Sequence, residues 1–206
     1  MSLPGYWSEA CAELGAADPV MAGLIAQFDG SVLQTRGAPF ETLMRAIVGQ
    51  QISLAAAASI WRRLSECVDP CNPASVLAAP AESLRQAGLS TRKTEYVRDL
   101  ARHFASGILV FDELSIQDDD AIIKALTAVH GIGRWTAEMF LMFNLLRPDV
   151  WPVDDIGLQR AVARLYYQGV RIPLAQLRAH GDGWRPWRTV ASWYLWRSLD
   201  AVEVLY

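Results

Sequence analysis

Two adjacent carboxylates are the residues of this sequence best suited to acid–base or electrostatic chemistry. Asp154 and Asp155 follow Pro152 and directly precede a helical pattern over residues 156–166. A carboxylate at the start of a helix is stabilised as an anion by the helix dipole. Such an anion can stabilise a positive charge that develops in a reaction, and it can orient or deprotonate water. On these residues alone, a plain helix cap is the simpler interpretation.

A glycine-rich turn is the second candidate. Residues 130–133, with the sequence His-Gly-Ile-Gly, separate predicted helices over 118–129 and 137–146. Both glycines can adopt positive φ and leave backbone N–H groups uncovered. Such amides at the start of a helix, followed by Arg134, form an anion site. An ordinary turn between two helices has the same pattern.

The elements that carry these residues are predicted to be helices. Apolar residues recur at helical spacing along most of the chain, and the only candidate strand, over residues 108–111, is too short and isolated to form a sheet. The sequence therefore predicts an all-α fold. Besides the helices named above, the pattern predicts one after Asp18-Pro19, one over 39–48, one capped by Ser53, two short ones between 73 and 88, and one over 91–106.

Four motifs occur in this order along the chain: Ile47 to Ser53, Gly131 to Ala137, Pro152 to Arg160 and Trp184 to Trp196. Together they resemble the helix-hairpin-helix (HhH-GPD) DNA glycosylase superfamily, and most closely its 3-methyladenine DNA glycosylase II (AlkA-like) branch. The resemblance covers about residues 38 to 200. It implies two helical lobes with an active-site cleft between them: residues 37–147 as a barrel ending in the hairpin, and residues 1–36 with 148–206 as the lobe that carries the catalytic aspartate.

The resemblance implies a catalytic role for Asp155. In the family an apolar residue that faces the core follows the catalytic aspartate at the third position, and Leu158 satisfies this for Asp155, whereas Gly157 does not for Asp154. The implied reaction is cleavage of the bond between an alkylated purine, such as 3-methyladenine or 7-methylguanine, and its deoxyribose. Asp154 is then a cap or a supporting residue.

Trp135 bears on the type of reaction. Members of the superfamily that also cut the DNA strand have a lysine at this position, which forms a Schiff base with the sugar. The only lysines of this chain are Lys93 and Lys124. The resemblance therefore implies a monofunctional enzyme that hydrolyses the bond with water and leaves an abasic site. The alternatives are a non-catalytic DNA-binding scaffold of the same fold, and a glycosylase for another lesion such as hypoxanthine.

Aromatic residues suggest how a substrate is selected. Trp135 and Trp196 match family positions that line the base pocket, and Met139 stands where some relatives have an aromatic ring. An indole face attracts a cationic methylated purine by about 0.5–2 kcal/mol beyond ordinary stacking. The alternative for the C-terminal tryptophans is a place in the core.

Contacts with double-stranded DNA are also implied by the resemblance. Gln51, beside Gln50, matches the residue that enters the duplex and fills the gap left by an extruded base; without the family, this pair is a solvated turn. The backbone carbonyls of Thr127, Val129 and Ile132 would hold a monovalent or hydrated structural cation, and no organic cofactor is implied. The hairpin residues expected to bind DNA are Gly131, Ile132, Gly133, Arg134 and Thr136.

Composition limits the other possibilities. The net charge is −3, with 10 basic and 15 acidic residues over 1–129 but 9 basic and 7 acidic over 130–206. This balance argues against a protein that binds nucleic acid by charge alone. Cys11, Cys67 and Cys71 have no zinc or redox spacing. With no membrane span or signal segment, we expect a bacterial-type cytoplasmic monomer that associates with the nucleoid when it acts.

Overall fold

The structure, a computed structural model, describes residues 4–30, 32–35 and 37–199. Within those residues there are thirteen α-helices and no strand, so the predicted all-α fold is confirmed. The helices are α1 Trp7–Ala17, α2 Pro19–Gln27, α3 Pro39–Gly49, α4 Leu54–Cys67, α5 Pro73–Ala78, α6 Ala81–Gln86, α7 Thr91–Ala105, α8 Phe111–Ser115, α9 Asp119–Thr127, α10 Arg134–Phe143, α11 Ile156–Tyr166, α12 Leu174–Asp182 and α13 Arg188–Arg197.

Local signals set most of the helix starts. A side-chain oxygen at the N-cap accepts a backbone N–H of the first turn, which satisfies a donor that has no partner within the helix. Proline at the first helical position adds a preset φ at the start of α2, α3 and α5. The residues that cap in this way are Asp18, Ser53, Asn72, Ser90, Asp118 and Asp155.

Two predicted regions differ from the structure. α10 begins at Arg134 and ends at Phe143, so both ends lie earlier than predicted. After its end, Leu146 adopts φ +53° and the Arg147 N–H bonds back to the carbonyl of Leu141, which turns the chain away from the helix. The N-terminal region holds α1 in addition to the helix predicted after Asp18-Pro19. No strand forms over residues 108–111, in agreement with the conclusion drawn from its length, because residues 108–110 are irregular and Phe111 begins α8. The sequence also predicts a turn or short linker over residues 30–37, which falls partly outside the described residues.

The chain divides into two compact units. We call residues Arg36–Phe140 the hairpin unit, and Met1–Thr35 with Leu141–Tyr206 the aspartate unit. In the hairpin unit, α3, α5 and α6 pack on α7, and in the aspartate unit, α1, α2 and α11 pack on α13. The division lies within α10, after Phe140, whereas the sequence analysis expected it after residue 147.

Two negative findings concern the described part of the chain. None of its helices combines the length and the apolar character needed to cross a membrane. Its three cysteines, Cys11, Cys67 and Cys71, are free thiols, and no group of three His, Cys, Asp or Glu side chains lies close enough together there to hold a metal ion.

Candidate active site

Asp155 is the N-cap of α11 in the aspartate unit. Its Oδ1 accepts the backbone N–H of Leu158 at 2.6 Å, which places the carboxylate at the positive end of the helix. The side chain is buried, with 6% of the residue exposed. The neighbouring Asp154 lies exposed in the turn before the cap and does not cap the helix. The two aspartates therefore have different environments, and Asp155 is the one held in a defined orientation.

Trp196 provides a second hydrogen bond to this carboxylate. Its indole Nε1 donates to Asp155 Oδ1 at 2.8 Å, across 41 residues of sequence. The residue is 2% exposed, and its ring stacks on Phe143 with centroids 6.0 Å apart. The sequence analysis expected Trp196 to line a base pocket. In the aspartate unit its contact is with the carboxylate itself, which sequence reasoning did not anticipate.

The segment that leads to Asp155 is held by the start of α13. Thr189 Oγ1 donates to the carbonyl of Arg147 at 2.6 Å and accepts the N–H of Val150 at 2.9 Å. The Arg188 guanidinium forms a two-point ion pair with Asp149, at 2.6 and 2.9 Å. Because Arg188 is largely buried, this pair is shielded from solvent and orders the backbone.

A close approach to α12 fixes the next part of this segment. The Trp151 indole N–H donates to the carbonyl of Leu177 at 3.1 Å, and Trp151 lies directly against Gly181. A Cβ at position 181 would overlap the indole ring, so only glycine fits there. The backbone between Arg147 and Asp155 is thus anchored on two helices of its own unit.

The hairpin between α9 and α10 contains one position that requires glycine. Gly131 has φ +88°, and a Cβ there would overlap the ring of Tyr96. Gly133 was expected to share this freedom, but its φ is not positive and a Cβ there would meet nothing within 4 Å. Gly133 lies directly before Arg134, the residue at which α10 and its first-turn amides begin.

Asp99 of α7 holds the hairpin by a hydrogen bond to its backbone. Its Oδ2 accepts the backbone N–H of His130 at 2.9 Å, and its Oδ1 accepts Arg102 at 3.0 Å. Burial opposes ionisation of Asp99, but the hydrogen bonds from His130 and Arg102 outweigh it, so the pKa of this carboxyl lies below its usual value. The His130 side chain is 83% exposed, and its Nδ1 lies 3.5 Å from Asp99 Oδ2.

The first two turns of α10 carry the other residues predicted for DNA and base contacts. Arg134 is exposed and its Nε donates to the buried carboxylate of Glu138 at 2.9 Å. Thr136 and Met139 are buried, and Trp135 is half-buried. The exposed surface at the start of α10 is therefore formed by Gly133 and Arg134.

The loop between α3 and α4 lies beside this hairpin within the same unit. The Gln50 side-chain Nε2 donates to the carbonyl of Gly131 at 2.7 Å, across 81 residues of sequence. Gln51 is exposed and has φ +58°. This left-handed conformation costs a residue with a Cβ about 1–2 kcal/mol, so the surrounding contacts must hold it.

Lys93 supplies such contacts. Its ammonium donates to the carbonyls of Val48 at 2.7 Å and Gln50 at 2.8 Å. From the sequence, residues 88–96, which include Lys93 and Tyr96, were interpreted as structural, and Asp99 was not singled out. Their spacing of three along α7 was a signal that they share one face, but nothing in the sequence indicated what that face contacts.

The family model of HhH-GPD superfamily base excision DNA repair proteins matches residues 44–185. The chain belongs to this superfamily. Several of its relatives are named DNA-3-methyladenine glycosylases, which is the branch that the motifs resemble. One of them, DNA-3-methyladenine glycosylase 1 of Schizosaccharomyces pombe, is 33% identical over 78% of this chain and 72% of its own length.

Solved structures agree with this assignment. A DNA-3-methyladenine glycosidase from Bacillus halodurans is 40% identical, with a TM-score of 0.78 over 88% of this chain and 89% of its own. A 3-methyladenine DNA glycosylase of Schizosaccharomyces pombe, in complex with abasic DNA, has a TM-score of 0.81 at 28% identity over 92% of this chain and 96% of its own. Against the matched Bacillus subtilis relatives, the chain spans 66% of their length.

Proposed function

We propose that this protein is a monofunctional DNA glycosylase that removes alkylated purines, such as 3-methyladenine and 7-methylguanine, from double-stranded DNA. The observation that carries the proposal is the buried carboxylate of Asp155 at the N-terminus of α11, oriented by the N–H groups of Leu158 and Trp196. Asp18, which caps α2, also accepts an indole N–H, so the hydrogen bonds alone do not distinguish Asp155. What distinguishes Asp155 is its place in the Pro152 to Arg160 motif, at the position that resembles the catalytic aspartate of the superfamily. The names of the relatives and the abasic DNA in one related structure agree with this function.

The proposed reaction is hydrolysis at C1′ of the damaged nucleotide. As the bond from C1′ to the base nitrogen breaks, its electron pair leaves with the base and positive charge builds on the sugar. The Asp155 carboxylate stabilises this charge. Water then forms the new bond to C1′ and loses a proton, for which Asp155 is the acceptor or the orienting group. The products are the free base and an abasic site.

Alkylated purines suit a site of this kind. A purine methylated at N3 or N7 carries a positive charge and leaves as a neutral base, so no general acid is needed to protonate it. The half-buried Trp135 is the indole proposed to face the base, with Met139 behind it on the same helix. Trp196, because its N–H is bonded to Asp155, is assigned to the carboxylate in this proposal.

A strand-cleaving lyase step is not part of the proposal. That step requires a lysine amine to attack C1′, and Trp135 stands at the position where such members of the superfamily have the lysine. Lys93 uses its ammonium to bind the carbonyls of Val48 and Gln50. Lys124, the other lysine, is exposed on α9. The product is therefore an abasic site in an uncut strand.

DNA contacts are assigned to the hairpin unit. The exposed start of α10, with Gly133 and Arg134, is the proposed phosphate site, and the exposed Gln51 is the side chain proposed to enter the duplex. We propose that the protein acts as a monomer. Sedimentation equilibrium with one lesion-containing duplex tests this, and a complex with two chains per duplex would contradict it.

The carbonyls of Thr127, Val129 and Ile132 suit a weakly bound cation near the hairpin. All three are neutral hard oxygens, the ligand class of alkali and alkaline-earth ions. Val129 O accepts the N–H of Ile132 at 3.1 Å and keeps its second lone pair. The cation would add positive charge beside the phosphate site. Affinity for DNA should therefore be higher in potassium chloride than in tetramethylammonium chloride at equal ionic strength; equal affinity contradicts this proposal.

Base release from methylated DNA tests the function directly. The wild type should release 3-methyladenine or 7-methylguanine, and Asp155→Asn should slow release about 100-fold or more while it still binds abasic DNA. Asp154→Asn is the matched control, because it removes the same charge one residue away at an exposed position, and it should stay within about threefold of the wild type.

The outcomes separate the candidate functions. Release of hypoxanthine but of no methylated purine would move the assignment to another lesion. DNA binding without release of any base would support a non-catalytic DNA-binding scaffold. Equal rates of base release for Asp155→Asn and Asp154→Asn would contradict the catalytic role of Asp155.

A further inference from the structure

Lys93 links two parts of the hairpin unit that are far apart in sequence. Its Nζ lies 2.7 Å from the carbonyl of Val48, in the last turn of α3, and 2.8 Å from the carbonyl of Gln50, beyond the end of that helix. Burial holds the pKa of Lys93 below its usual value, which reflects the cost of placing this charge against the protein. Both carbonyls lie at the C-terminal end of α3, where helix carbonyls have no partner within the helix, so the ammonium caps α3 and also fixes the peptide that precedes Gln51.

α7 carries two further contacts on the same face. Tyr96 lies one turn after Lys93 and packs against Gly131, and Asp99 lies one turn later and accepts the N–H of His130. Three residues at spacing i, i+3, i+6 thus bind the α3–α4 loop and the hairpin from a single helix. The relative position of these two segments is set by α7.

The α3–α4 loop has a conformation that needs such support. Gln51 adopts φ +58°, a region that residues with a Cβ rarely occupy. It is held by the flanking Gln50, whose carbonyl accepts Lys93 and whose amide donates to Gly131 at 2.7 Å. If the ammonium were removed, the Gln50 peptide would lose its charged partner and could rotate, and the direction of the Gln51 side chain would change with it.

We propose that Lys93 is a positioning residue for DNA interrogation: its ammonium holds the α3–α4 loop so that Gln51 projects into the duplex beside the hairpin. The inference rests on the proposed function, because it assigns Lys93 to the site where that function extrudes a base. Lys93 touches neither the base nor C1′. It acts through Gln51.

A double-mutant cycle of Lys93→Met and Gln51→Ala tests the inference. Single-turnover release of 7-methylguanine is measured for both single variants and the double variant. If Lys93 acts through Gln51, Lys93→Met slows release about tenfold or more, and the double variant is no slower than the slower single variant. Lys124→Met, which changes the only other lysine at an exposed position of α9, should match the wild type.

A second readout follows the loop without any chemistry. A duplex with 2-aminopurine opposite a tetrahydrofuran abasic analogue reports insertion beside the orphaned base. Its fluorescence should change when the wild type or Lys124→Met binds, should not change with Gln51→Ala, and should change by less than half as much with Lys93→Met. Lys93→Arg, which keeps a charged donor, should restore most of the change.

The outcomes are distinct. Lys93→Met with wild-type rate and fluorescence overturns the inference, and so does a double variant whose slowing is the product of the two single effects, because that means a separate, structural role. If Lys93→Met does not fold, Lys93→Gln, which keeps a neutral donor, replaces it in the same cycle. If the wild type releases no base, the proposed function fails, while the fluorescence arm still decides the role of Lys93.

Discussion

The hydrogen bond between Trp196 and Asp155 leads to the sharpest prediction from the aspartate unit. Trp196→Phe removes the indole N–H that donates to Oδ1 at 2.8 Å but keeps an aromatic ring stacked on Phe143. Both partners are buried, with 2% and 6% exposure, so water cannot readily replace the lost donor. A hydrogen bond to a charged group is worth about 1.5–3 kcal/mol. If the bond serves to orient the carboxylate in the transition state, its loss slows base release by roughly 10- to 100-fold.

The chain offers a matched control for this change. Trp184 is also buried in the aspartate unit, and its indole N–H donates to Asp18 at 2.9 Å. Asp18 caps α2 and has no proposed part in the reaction. Trp184→Phe removes the same group from a tryptophan–aspartate pair of the same kind, and should lower the free energy of unfolding without slowing the chemical step by more than about threefold.

Single-turnover base release and affinity for abasic DNA are the measurements. Trp196→Phe should lose rate and keep its affinity, because the substitution disturbs a group that acts on the reacting carbon. A rate within threefold of the wild type in the folded variant would refute the orienting role of Trp196. Equal slowing in both tryptophan variants would mean that the loss of rate follows from lower stability of the aspartate unit.

Two further predictions concern the fold. Burial opposes ionisation of Asp18, but hydrogen bonds outweigh it and lower the pKa of this carboxyl; the donors are Trp184, the Met21 and Val20 amides and Tyr166. The ionised Asp18 therefore stabilises the fold fully above the pKa of an unfolded Asp, near 3.9. This stabilisation is lost as pH falls through the pKa in the folded state. The melting temperature of Asp18→Asn should lie below that of the wild type at pH 7, and the gap should close below about pH 4; a constant gap would contradict this. Gly131→Ala should lower the free energy of unfolding, measured in urea, by about 2 kcal/mol or more, because the new Cβ would sit at positive φ and overlap Tyr96. Gly133→Ala should be nearly neutral. Equal losses in the two variants would contradict the assigned difference between the two glycines.

Helix positions were largely predictable because their signals are local. Proline, capping side chains and apolar residues at helical spacing act within a few residues, and α3, α7 and α11 accordingly lie within one residue of the predicted ranges. α10 was misplaced by about one turn because its end depends on the positive φ of Leu146 and the return bond from Arg147 to Leu141. Neither feature has a sequence signature.

The amino-acid sequence by itself determined an all-helical chain, its superfamily, and Asp155 as the carboxylate at the start of a helix. Only the tertiary structure decided what holds that carboxylate and the α3–α4 loop. Trp196 reaches Asp155 across 41 residues, Gln50 reaches Gly131 across 81, and Lys93 reaches Gln50 across 43. Such bonds depend on which helices pack together and on the direction of each side chain, and both are set by the burial of apolar surface over a whole unit. No short stretch of sequence contains that information.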